Sequence, residues 1–154
     1  MESTSLTERE IKNLQHELNI VSLVLRKKQQ GPLSAIEIRG AALSLTALYN
    51  GMESLLKHIL AERKEFVKEN QSWHTSLLQK SQSLGIISEE TMKDLKAFLG
   101  FRHFIRHAYS FEIDPRTIEA VLETTPALVR RFIHEVRAGS GNDHDTIDEK
   151  ESGI

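Results

Sequence analysis

Residues 34–66 read SAIEIRGAALSLTALYNGMESLLKHILAERKEF. Within them Ile38, Ala41, Leu45, Leu48, Met52, Leu55 and Ile59 recur at spacings of three and four. That period lays one apolar stripe along a helix and fits no strand. Ser34-x-x-Glu37 is a capping box that starts it, and the stripe predicts a helix reaching about Phe66, with Tyr49 and Leu56 on its flanks. As the longest periodic segment of the chain, it should form the spine of a helical bundle. Glu53 also falls on the flank of the stripe. Glutamate is rarely buried, so a solvated side chain is the favoured reading; partly buried, it would be a candidate counter-charge.

The flanking segments repeat the pattern. Upstream, Ile11, Leu14, Leu18, Val21 and Leu25 predict an amphipathic helix from about Leu6 to Gln29, with Ser5-x-x-Glu8 as a second capping box and Gly31-Pro32 as its stop. Downstream, the polar Asn70-Gln71-Ser72 breaks the chain. Ser72 then suits the N-cap of a short helix from Trp73 to Leu84, and Gly85 suits its C′ position. Trp73 reads as a core or interface anchor and His74 as a surface histidine. Ser88 caps a fourth helix whose first turn holds Glu89 and Glu90 and whose stripe is Leu95, Phe98 and Leu99. Asp114-Pro115 and Thr125-Pro126 each place proline at a first helical position, predicting two short helices, to about Glu123 and about Arg137.

The fold expected is therefore all-α, an up-and-down helical bundle over residues 1–137. Residues 138–154 carry almost no apolar side chain and read as a disordered acidic tail. Composition agrees: of 154 residues 39% are hydrophobic, with three prolines and eight glycines, a balance suited to one soluble helical domain. No apolar run approaches the roughly 20 residues of a membrane span, and Met1–Glu10 lacks the apolar core of a signal peptide. The chain has no cysteine, which removes disulfides and thiolate metal sites. A cytoplasmic location suits these features. The formal net charge of −2 excludes a protein basic all over, yet leaves room for a local basic patch.

Such a patch closes the fourth helix. Arg102-His103-Phe104-Ile105-Arg106-His107-Ala108-Tyr109 holds two arginines, two histidines and a tyrosine. At about 100° per residue, Arg102, Arg106 and Tyr109 continue the face begun by Leu95, Phe98 and Leu99, so an apolar face turns cationic partway along. A charge aimed at a core is costly unless it is paired or faces a polar cleft. Gly100, costly inside a helix, suggests close approach of another backbone. Arg102 and His107 lie about 140° apart on a straight helix, so one face holds both only if the helix ends near His107 or a second copy completes the cleft. Arginine grips two phosphate oxygens and stabilises developing charge, while histidine passes protons near neutrality. Together they suit metal-free phosphodiester chemistry, with RNA as the substrate that brings its own 2′-OH nucleophile. No acidic set has metal-ligand spacing, and no cofactor is expected. The plain alternatives are neutralisation of the helix dipole by a basic end and a chance His103/His107 pair at i,i+4.

Arg102-x4-His107-x-Tyr109 resembles the R-x4-H-x-Y motif of HEPN-domain ribonucleases of the HepT type. Tyr49-Asn50-Gly51-Met52-Glu53, Trp73-His74 and Gly100-Phe101 are similar to that family in the same helix order, and the likeness spans about Leu6 to Arg137. The resemblance implies a HEPN-like fold and a homodimeric toxin of a toxin–antitoxin pair that cuts RNA at a cleft between subunits. It implies that Arg102 contacts the scissile phosphate and His107 transfers protons. Tyr109 matches the tyrosine to which a minimal nucleotidyltransferase antitoxin adds AMP. His103 and Arg106 occupy variable motif positions and are candidate phosphate contacts. The rival readings are a non-catalytic HEPN partner of a nucleotidyltransferase and a plain helical interaction protein.

Overall fold

The computed structural model describes residues 2–107 and 113–151, with side chains for 6–107 and 113–139. Five helices follow in order: α1 Glu2–Gln30, α2 Ala35–Glu62, α3 Trp73–Ser83, α4 Glu89–His107 and α5 Pro115–Glu151. Among the described residues there is no strand, and no helix is long and apolar enough to cross a membrane.

The spine is α2, which packs against each of the other four helices. Its whole predicted stripe, Ile38 through Ile59, is buried, and so are Ala42, Tyr49, Leu56 and Leu60. A helix touched on several sides needs more than one apolar face, and these extra residues supply it. Ser34 opens α2 as expected: the Glu37 amide donates to Ser34 Oγ at 3.1 Å and the Ser34 amide to Glu37 Oε1 at 2.9 Å. The helix stops four residues before Phe66. Lys64 adopts a left-handed φ of 58°, its amide donates to the Ala61 carbonyl and the Glu65 amide to that of Leu60. This is the two-bond closure that usually recruits glycine. Here Glu65 is held by Lys80 of α3 at 3.0 Å, so a tertiary contact anchors the residue just past the strained position.

Against the spine, α1 buries Ile11, Leu14, Leu18 and Val21. Gly51 lets the two helices approach: a Cβ there would lie 2.8 Å from Leu14 Cδ2. The start of α1 lies earlier than the Ser5 capping box predicts. Its first turns have a partner in α5, where Arg137 Nη2 donates to Glu8 Oε2 at 3.0 Å.

Two further boundaries depart from expectation. Asn70, not the Ser72 side chain, closes the entry to α3: Asn70 Oδ1 accepts from the Ser72 amide at 3.0 Å, and Ser72 makes no side-chain cap bond. Instead of two short helices, one helix runs from Pro115 through Pro126 to Glu151. Proline inside a helix costs about 3 kcal/mol. The buried residues Ile118, Leu122, Thr125, Val129, Phe132 and Val136 keep one three–four rhythm across it, and their packing offsets that cost. Thr125 Oγ1 donates to the Val121 carbonyl at 2.6 Å just before the proline. Val136 is the last of the described residues to be buried, so core packing ends where the apolar sequence does, although helical backbone goes on.

The α4 helix, which carries the basic cluster, is clasped at its start. Ser88 caps it as predicted, its Oγ accepting from the Thr91 amide at 3.1 Å. Glu135 of α5 accepts from the Ser88 amide at 2.6 Å and from Thr91 Oγ1 at 2.9 Å, placing a carboxylate at the positive helix end. Arg131 of α5 reaches Glu90 at 3.2 Å and also pairs with Asp94.

Candidate active site

Two neighbouring residues of α2 receive Arg102. Its Nε donates to Asn50 Oδ1 at 2.7 Å, and its guanidinium carbon lies 5.8 Å from the centre of the Tyr49 ring. That ring is stacked against Phe98, one turn earlier on α4, with centroids 5.8 Å apart. Phe98 meets Phe101 edge-on at 5.9 Å. Of the face expected to turn from apolar to cationic, Leu95 and Phe98 are buried, Leu99 is partly buried and Arg102 follows half-buried at the rim, whereas Arg106 is exposed and leaves that face; Phe101, outside the predicted stripe, is buried as well. The Arg102 charge meets the negative face of an aromatic ring and an amide oxygen, the two neutral groups best suited to take it. Among the described residues, only Nε of this guanidinium meets a hydrogen-bond acceptor. Among those residues its outer edge meets no acceptor, which suits it to grip an anion.

Tyr49 is wholly buried, and its hydroxyl donates to Glu53 Oε2 at 2.7 Å. His74 Nδ1 lies 2.6 Å from that same oxygen. Burial, then the hydrogen bond to Glu53, push the Tyr49 phenol far above its usual range, and the Arg102 charge opposes them only weakly. Glu53 thus corrects the sequence reading. It is 7% exposed instead of solvated, and its partners among the described residues are Tyr49 and His74, so it is not a direct counter-charge to Arg102. A glutamate can be buried here because two donors meet it. His74, read as a surface residue, is half-buried in this contact with Glu53 and stacked on Trp73 at 3.8 Å. Lys57 Nζ lies 4.7 Å from the Trp73 ring centre.

The other half of the cluster faces away. His103, Arg106 and His107 are exposed, and the two imidazoles lie side by side with centroids 4.3 Å apart. The described span of α4 runs to His107, with Arg106 and His107 in its last turn. Arg102 is committed to α2 while His107 pairs with His103, so these contacts do not join them within one chain. A Cβ added at Gly100 would meet nothing within 4 Å, so among the described residues no other backbone makes the close approach expected there. Tyr109 lies outside the described residues.

Sequence reasoning missed Asn50 and His74. Tyr49 and Glu53, one helical turn apart at i,i+4, carried a usable signal for a hydrogen-bonded pair. Asn50 entered only as part of the Tyr49–Glu53 segment that resembles the family, since its role appears only when α4 crosses α2.

A family model described as HepT-like protein matches residues 40–139, from the first turns of α2 into α5. Neither curated proteins nor solved structures gave a match.

Proposed function

Since this chain belongs to the HepT-like protein family, a family of HEPN toxin–antitoxin components, we propose that it is a ribonuclease toxin that cleaves RNA without a metal ion. The observation that carries this reading is Arg102: a guanidinium held from behind by Asn50 and Tyr49, whose outer edge meets no acceptor among the described residues. Such a fork suits the two non-bridging oxygens of a phosphodiester. The chemistry is assigned to arginine and histidine themselves, since the one can bind phosphate and the other can move protons near neutrality.

In the proposed reaction His107 takes the proton from an RNA 2′-OH. The 2′-oxygen attacks the adjacent phosphorus, the bond from phosphorus to the 5′-oxygen breaks, and an imidazolium protonates that leaving oxygen. The products are a 2′,3′-cyclic phosphate and a 5′-hydroxyl. Arg102 stabilises the charge that builds on the phosphoryl oxygens. One chain turns Arg102 and His107 in different directions, which supports a homodimer whose two motifs share a cleft and whose two His107 side chains serve as base and acid. Exposed His103 and Arg106 are candidate contacts for flanking phosphates. Tyr109 is the proposed site of AMP addition by a nucleotidyltransferase antitoxin, which would put a phosphate and an adenine where RNA must lie.

The test is RNA cleavage by purified wild type, Arg102→Ala and His107→Ala. Each substitution should lower the rate about 10²-fold or more while the far-ultraviolet circular dichroism is retained. Wild-type rates in both variants would overturn the assignment.

A further inference from the structure

Arg102 is oriented from further away than its own contacts. Asn50 Oδ1 fixes its Nε at 2.7 Å and the Tyr49 ring lies 5.8 Å from its guanidinium carbon. That ring is in turn pinned at its far end, where the hydroxyl donates to Glu53 Oε2 at 2.7 Å. The same oxygen faces His74 Nδ1 at 2.6 Å. A carboxylate oxygen only accepts, so the Nδ1 of His74 must carry the proton at this contact. His74 is itself held flat against Trp73 at 3.8 Å, with Lys57 on that indole at 4.7 Å. The series therefore runs from α3 through α2 to α4.

We propose that His74 is a positioning residue for Arg102, acting through Glu53 and Tyr49; its catalytic consequence rests on the reading of Arg102 as the phosphate-binding group. Without the Nδ1 donor, Glu53 loses one of the two bonds that fix its rotamer, and its carboxylate can turn toward water. Tyr49 is fully buried, and its hydroxyl then lacks a stationary acceptor. The ring beneath the guanidinium loses its anchor. A displacement of about 1 Å in a group that must meet a transition state can cost up to about 10²-fold in rate; a partial loosening of Arg102 should cost about tenfold in kcat. KM should change little, since the charge itself remains.

The experiment follows the Arg102 Nε–H resonance of the full-length protein by two-dimensional nitrogen–proton NMR, assigned with Arg102→Lys. Asn50→Ala serves as the control that removes its acceptor. His74→Ala and His74→Phe, the second keeping a ring against Trp73, should both shift or broaden that resonance. His74→Asn, whose side-chain amide can donate in place of Nδ1, should restore it. RNA cleavage is measured on the same samples, with kcat down about tenfold in the first two variants and recovered in the third. An Arg102 resonance unchanged in His74→Phe, or in a folded His74→Ala, overturns the positioning role whatever the protein does to RNA. A resonance that responds as expected in a wild type that cleaves no RNA upholds the positioning and refutes the nuclease reading instead.

Discussion

Replacing Glu53 by alanine should be among the most damaging single changes to folding in this chain. The carboxylate is 7% exposed and accepts from two donors on different helices. Its removal strands the hydroxyl of Tyr49, a residue with no exposed surface. A buried donor left unsatisfied costs about 1–3 kcal/mol. His74, about a quarter exposed at its side chain, can recover part of its loss from water. The lost packing adds to the cost, and release from burying a carboxylate subtracts from it. The net should be a destabilisation of about 2–3 kcal/mol, a large share of the roughly 5–15 kcal/mol of a typical domain. Glu53→Gln keeps an oxygen that can accept from both donors and should cost about 1 kcal/mol or less. Urea denaturation at pH 7 with circular dichroism measures all of these. Tyr49→Phe should hurt less in the Glu53→Ala background than in wild type, a coupling of about 1–2 kcal/mol. A Glu53→Ala cost within about 0.5 kcal/mol, the scale of a surface substitution, would refute the buried pair.

Tyr49 gives a pH signature: its folded pKa lies above the unfolded value near 10, so its stabilising effect is fully present below about pH 10 and is lost as the pH rises from there toward the folded value. Urea midpoints at pH 7 and pH 10.5 should therefore fall further apart in wild type than in Tyr49→Phe. Gly51→Val drives branched methyls into Leu14, 2.8 Å from the position of a Cβ, and should destabilise by about 1–3 kcal/mol in the same assay. Light scattering at tens of micromolar should find a dimer, and a strict monomer counts against the shared cleft. Co-expression with a genomic-neighbour nucleotidyltransferase should add one or more AMP masses at Tyr109 and abolish cleavage. Tyr109→Phe should keep most activity and escape that neutralisation, which intact-mass spectrometry and the cleavage assay decide.

What the sequence made legible is what neighbours along the chain determine. The α2 stripe, the Ser34 box, Ser88 as a cap and Gly85 with its left-handed φ of 76° all stand as read. Each depends on residues within a few positions of one another. What escaped depends on partners distant in sequence. Lys64 ends α2 without glycine because Glu65 is tied to Lys80. Pro126 fails to end α5 because its flanking apolar residues share one core face. Glu53 is buried because Tyr49 and His74 both reach it. At the site, projection on a helical wheel put Arg102 on the inward flank, where it is half-buried, and separated it from His107, but it put Arg106 on that same flank, where the structure has it exposed. It could not show that Asn50 would be waiting across from Arg102.

The most direct test of metal-free cleavage by Arg102 and His107 is the chemistry of the cut ends. A defined RNA is incubated with the purified protein in EDTA, and the fragments are weighed by mass spectrometry. The expected result is 2′,3′-cyclic phosphate and 5′-hydroxyl termini at undiminished rate in chelator, with both products lost in Arg102→Ala and His107→Ala. Cleavage abolished by EDTA, or fragments ending in 3′-hydroxyl and 5′-phosphate, would contradict it.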